Sequence, residues 1–131
     1  MIENQYSYFL NQLQMGSKGR NYFFEVRLTT KLKPLARLLQ SLNLIRRFHR
    51  SGARPNAYRV FPTYSRHRKH ARVMRLYARR RGRIVLNLRA LHLLNLTAPH
   101  SYYILETPKG IMTHQEAITL RTGGLLLAII N

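Results

Sequence analysis

Between Glu25 and Glu106 this chain has no acidic residue, and within that span residues 46–83 carry fourteen of its 23 lysines and arginines. A charge run is usually a solvated face, but fourteen cations with no acid nearby are hard to read that way, and the expectation is contact with phosphates. Residues 1–45 hold six cations: Lys18, Arg20, Arg27, Lys31, Lys33 and Arg37. Residues 84–131 hold three: Arg89, Lys109 and Arg121. With only four glutamates and no aspartate, the 131-residue chain has a formal net charge of +19. A small body so charged repels itself and needs a polyanion. Nucleic acid is the first candidate and an anionic membrane surface the second. The bias of 18 arginines to 5 lysines favours nucleic acid, since guanidinium forks onto phosphates and stacks on bases while ammonium acts as a point charge.

Other classes fall away quickly. The chain has no cysteine, which removes disulfide scaffolds, thiolate zinc sites and thiol catalysis. No apolar run approaches the roughly 20 residues of a membrane span. Six scattered histidines show no metal-ligand spacing, and cationic neighbours disfavour a divalent ion, so the histidines read as solvated or facing RNA. Four separated glutamates do not make a metal-dependent nuclease. The expectation is no enzyme, no cofactor, no metal and no small-molecule substrate. The start Met1-Ile2-Glu3-Asn4 resembles neither a secretory signal nor an Arg- and Ser-rich presequence.

The apolar patterning predicts an α+β fold. Tyr6, Phe9, Leu10 and Leu13 recur at helical spacing over residues 2–15, and Gly16, Ser17 and Gly19 read as its end. Tyr22, Phe24 and Val26 alternate as a strand. Thr30 is placed to cap a second helix with Leu32, Leu35, Leu38, Leu39 and Leu42 inward, and Asn43 to stop it in a left-handed conformation. Residues 45–49 and 58–62 read as strands around a Gly- and Pro-containing turn. Tyr64–Arg72 reads as an exposed basic tract, Val73–Ala78 as a strand, Arg79–Gly82 as a turn, and Ile84–Leu88 as a strand. A short helix over Arg89–Leu94, a break at Pro99 and a strand Tyr102–Leu105 follow. Then come a turn Pro108–Thr113, a helical turn His114–Leu120 capped by Thr113, and an apolar strand Leu125–Ile130 after Gly123-Gly124. Phe9, Phe24, Tyr102 and Tyr103 read as core, whereas Tyr58, Tyr64 and Tyr77 lie among arginines and could stack on bases.

The segment Glu106-Thr107-Pro108-Lys109-Gly110-Ile111-Met112-Thr113-His114-Gln115-Glu116-Ala117, followed by Gly123-Gly124, resembles the C-terminal signature of the small-subunit ribosomal protein eight family. That signature runs Ser-Thr-Ser-Lys-Gly-Val-Met-Thr-Asp-x-Glu-Ala, then Gly-Gly and a last apolar strand. Thr30-Lys31-Leu32-Lys33 resembles the family's Ser-Lys-Leu-Lys, Asn43-Leu44-Ile45 its Gly-Phe-Ile, and Gly82-Arg83-Ile84 its Pro-Gly-x-Arg. Glu106 and Pro108 depart from it, standing where the family has two serines that help contact rRNA. Gln12–Met15 also departs, standing where helix one of the family tends to have Arg-x-Arg-Asn.

The resemblance implies two small α/β modules, an N-terminal α-β-α-β-β module over residues 1–62 and a mostly β module with short helices over 63–131, the basic belt 46–83 spanning their boundary. It implies a structural constituent of the small ribosomal subunit that binds a central-domain stem of small-subunit rRNA, beside neighbouring ribosomal proteins and away from membranes. The expected RNA-binding residues are Lys31, Lys33, Arg54, Arg66, Arg68, Lys69, Arg72, Arg79, Arg80, Arg81, Arg83, Thr107, Lys109, Gly110, Thr113, Gly123 and Gly124. The belt would neutralise phosphates. The turn would set register and read shape through 2′-hydroxyls. The strong basicity and the lost serines point to an organellar member, in the mitochondrial matrix, with a plastid as the alternative. A non-ribosomal RNA-binding module or RNA chaperone, and a cationic membrane-active protein, are the other classes.

Overall fold

The computed structural model describes residues 2–18, 23–52, 54–63, 74–76 and 84–131. The basic tract 64–73 and residues 77–83 lie outside these, and with them the expected turn at 79–82, the aromatics Tyr22, Tyr64 and Tyr77, and Arg66, Arg68, Lys69, Arg72, Arg79, Arg80, Arg81 and Arg83. The fold is α+β. It divides into two compact units, Tyr8–Ala71, and Arg72–Asn131 together with Met1–Ser7.

Helix α1 (Ile2–Lys18), which enters the first unit at Tyr8, runs past the expected stop at Gly16. A β-carbon on Gly16 would meet the Phe24 ring and Pro62 at 3.4 Å, an ordinary van der Waals contact, so the helix passes through this residue without the site demanding a glycine. Strand β1 (Phe24–Arg27) follows, then helix α2 (Leu32–Ser41). The cap of α2 corrects the expectation. Lys31, not Thr30, is the N-cap residue, it makes no side-chain cap bond, and the Thr29 carbonyl accepts from Leu32 and Lys33. A missing cap costs about 1 kcal/mol. Burial of Leu32, Leu35 and Leu39 contributes about 1.5–3 kcal/mol each, so the apolar face decides where this helix begins. Leu38 and Leu42 are only half-buried, and Ala36 joins the core in their place. Asn43 takes the expected left-handed conformation at φ 63°.

Strands β2 (Ile45–Arg50) and β3 (Ala57–Pro62) complete an antiparallel sheet of order β1-β3-β2. The register sets Phe24 opposite Val60 and Phe48 opposite Val60 on its other side, with an irregularity between Ile45 and Arg47. Val60 is fully buried and marks the inner face. Residues one step out of phase, Arg47, His49, Arg59 and Glu25, point the other way. The β2–β3 turn uses left-handed Gly52 and Asn56 and is closed by a Ser51 N–H donating to the Ala57 carbonyl at 2.9 Å.

The second unit is built around strand β8 (Gly124–Ile130). On one edge it pairs with β4 (Met74–Leu76) and β5 (Val85–Leu86), and on the other with β6 (Tyr102–Thr107). Strand β7 (Gly110–Thr113) pairs outside β6. Helix α3 (Leu88–Thr97) begins earlier than expected because the Asn87 side chain accepts from Ala90 N–H at 2.8 Å, ending β5 at Leu86 instead of Leu88. Helix α4 (His114–Thr119) is capped by Thr113 as expected. Leu91, Tyr103, Leu105, Met112, Ala117 and Leu126 form the core between these helices and the sheet. The expected turn Pro108–Thr113 is instead a two-residue turn, Pro108-Lys109, with a strand after it. Ile111 and Met112 alternate half-buried and buried against β6, which makes them strand.

Candidate nucleic-acid interface

The β6–β7 hairpin carries the expected recognition turn. Its register ends at Thr107 opposite Gly110. The Thr107 hydroxyl donates to the Gly110 carbonyl at 2.8 Å and accepts from the Lys109 N–H at 3.2 Å. Thr107 is itself buried. Its hydroxyl therefore locks the turn from within, and the groups turned to solvent are Pro108, Lys109 and Gly110. The Lys109 ammonium donates to the Leu120 carbonyl at 2.9 Å, at the C-terminal cap of α4. Gly110 stands at φ +121°, where side chains are strained, and nothing lies within 4 Å of the place a β-carbon would take. Its backbone is open to close approach.

Thr113 and the Gly-Gly pair are occupied differently. The Thr113 hydroxyl is buried and accepts from Glu116 N–H at 3.4 Å. A β-carbon on Gly123 would fall 2.5 Å from the Leu86 carbonyl oxygen. On Gly124 it would fall 2.7 Å from the Glu106 carbonyl oxygen and 2.8 Å from the Thr107 methyl. Both glycines are demanded by neighbouring strand backbone. Lys31 and Arg54 are exposed and Lys33 is half-buried, all in the unit Tyr8–Ala71, while Thr107, Lys109, Gly110, Thr113, Gly123 and Gly124 share the other unit.

Glu106, out of place beside phosphates, has a partner that sequence did not suggest. The Tyr6 phenol donates to its carboxylate at 3.4 Å. Burial, then the Glu106 charge and this bond, push the Tyr6 phenol up to about 12. Tyr58 is half-buried under the Lys33 ammonium, 5.5 Å from its ring centre. Phe9 and Tyr103 are buried, Phe24 and Tyr102 half-buried. His114 corrects the reading of the histidines as solvated. It is fully buried, with Nδ1 accepting from the Tyr103 N–H at 3.2 Å. Among the described residues no three carboxylate or imidazole side chains gather as a metal site, and no helix is long and apolar enough to cross a membrane.

Sequence reading also passed over the outer face of the first unit's sheet. There the Arg47 guanidinium lies 4.4 Å from the centre of the Phe61 ring and the Arg59 guanidinium 5.1 Å from that of Phe23. The alternation Arg47, His49 and Arg59, Phe61 carries that signal, once the register is known.

A family model described as ribosomal protein S8 matches residues 5–131 of the chain. A search of curated proteins finds no match.

Proposed function

We propose a function from one premise: the chain belongs to the ribosomal protein S8 family, and so is an rRNA-binding protein of the small ribosomal subunit. Its target is a stem in the central domain of small-subunit rRNA, which it holds in folded shape during assembly and translation, beside neighbouring small-subunit proteins. The role is structural, in a mitochondrial small subunit. The +19 charge and the replacement of two family serines by Glu106 and Pro108 support the organellar assignment.

The division of labour follows from charge and shape. The belt 46–83 supplies phosphate neutralisation and most of the affinity. The hairpin tip supplies register. The observation that carries this reading is the tip itself: an internally locked turn with Gly110 open to close approach and the Lys109 cation within it. Such a tip suits the wide, shallow A-form minor groove, where 2′-hydroxyls and base edges are displayed. The modules 1–62 and 63–131 would then share the work, with the belt crossing between them.

Sucrose-gradient sedimentation of native mitochondrial extract tests the reading. The protein is expected to travel with small subunits and to leave that fraction after RNase treatment. Remaining at the top of the untreated gradient would overturn it. At the finer level, Lys109→Ala combined with Gly110→Ala should weaken binding of the rRNA fragment at moderate salt. Unchanged binding would make the tip a purely structural turn.

A further inference from the structure

The outward face of the sheet β1-β3-β2 has a layered construction that phosphate neutralisation alone does not require. Phe61 points outward, opposite Arg47, yet is only 7% exposed. Several described side chains lie on it. The His49 ring stacks at 5.3 Å and 25°, the Arg47 guanidinium sits 4.4 Å from its centre, and the Phe23 ring lies at 5.7 Å. Phe23 in turn carries the Arg59 guanidinium at 5.1 Å. Arg59 is also tied through Nε to Glu25 at 3.3 Å. The result is a phenylalanine floor with an exposed layer of planar cationic and imidazole groups laid on it.

Cation–π contact and ring stacking hold these planes in place before any ligand arrives. A guanidinium fixed in this way loses less freedom on binding than one swinging from a mobile stem. Exposed Arg27 extends the cationic surface along β1. Among the described residues, the one carboxylate on this face, Glu25, is already engaged by Arg59.

We propose that this sheet face is a second RNA-contacting surface, which takes an unpaired nucleotide stretch: one base stacks on the Arg47–His49 layer, and the flanking phosphates meet Arg27 and Arg59. Charge complementarity names a polyanion. The flat planes choose among polyanions, because unstacked RNA bases dock on aromatic and guanidinium planes, whereas a base inside a duplex has no free face to offer. An acidic protein segment would use the charges and leave the planes without a role. The inference rests on the chain being an RNA-binding protein, but it is independent of the hairpin tip as the recognition element.

The test uses the full chain and a single-stranded oligouridylate of about ten nucleotides with one central 2-aminopurine, whose fluorescence is quenched on stacking. The native protein should quench it. Arg47→Lys with His49→Ser keeps the formal charge while removing both planes. It should keep the salt dependence of binding, lose most of the quenching at saturating protein, and weaken binding about fivefold or more, the lower end of what one stacked base contributes. Arg47→Lys with His49→Tyr restores one plane and should recover quenching, which separates stacking from damage to the fold. Equal quenching by all three proteins would overturn the proposal. So would unchanged quenching with lost incorporation into small subunits, which assigns the face to a protein neighbour. Failure to travel with small subunits, with quenching behaving as expected, would sink the ribosomal reading and leave this one standing.

Discussion

His114 is a base that the fold keeps neutral. Nδ1 accepts the Tyr103 N–H, so the proton sits on Nε2, a buried atom with no hydrogen-bond partner among the described residues. Burial lowers its pKa below the ordinary 6.5. The unfolded chain then takes up the proton more readily than the folded one, so stability rises with pH through this window. The His114 contribution is fully present above about pH 6.5 and is lost as pH falls through the lower folded value. Urea unfolding from pH 8 to pH 4.5 should show that decline. His114→Asn, which keeps an acceptor near Nδ1 and cannot titrate, should flatten part of it; identical pH profiles would refute the assignment. No spacing rule marks His114 as buried, because it is the first residue of a short helix and its partner lies eleven residues away. The glycines were equally opaque. Gly123 and Gly124 read as places where RNA could approach, yet the approaching backbones are those of Leu86 and Glu106. Sequence shows that a close contact is needed and is silent on what makes it.

At the scale of elements, patterning was legible wherever an apolar face was long enough to declare its period. Helix α1, helix α2 and strands β3, β6 and β8 are all of this kind. Boundaries were lost where one bond overrode the pattern. The Asn87 side chain turned the end of an apparent strand into a helix cap. Helix α1 runs on through Gly16, since one glycine inside a helix costs only about 1 kcal/mol and does not by itself end it. Strand β7 was hidden because its four residues lie between a tight turn and a helix. Its last residue, Thr113, is also the cap of α4. Thr113→Ala should therefore cost about 1 kcal/mol in urea unfolding, and Thr113→Ser should recover most of it. An alanine variant as stable as the native chain would show that the 3.4 Å contact contributes nothing.

For the molecule as a whole, the described acidic groups scarcely offset the field. Glu25 is paired with Arg59, Glu106 is engaged by Tyr6, and Glu116 lies in the first turn of α4. RNA binding should therefore be governed by counterion release. If six to ten cations of the belt meet phosphates, affinity for the rRNA fragment falls by about 10³–10⁵ between 50 and 200 mM salt. A nearly flat salt dependence in filter binding would remove the belt from the interface. The belt was legible from charge alone, whereas its contacts depend on chain geometry that composition does not encode. One bond in the hairpin has a consequence for chain turnover. A trypsin-like protease must draw a lysine, extended and free, into its specificity pocket. The amine of Lys109 is already held by the Leu120 carbonyl, and the bond after it lies inside a closed turn. In a chain whose many arginines invite cleavage, the hairpin tip is guarded by its own lysine.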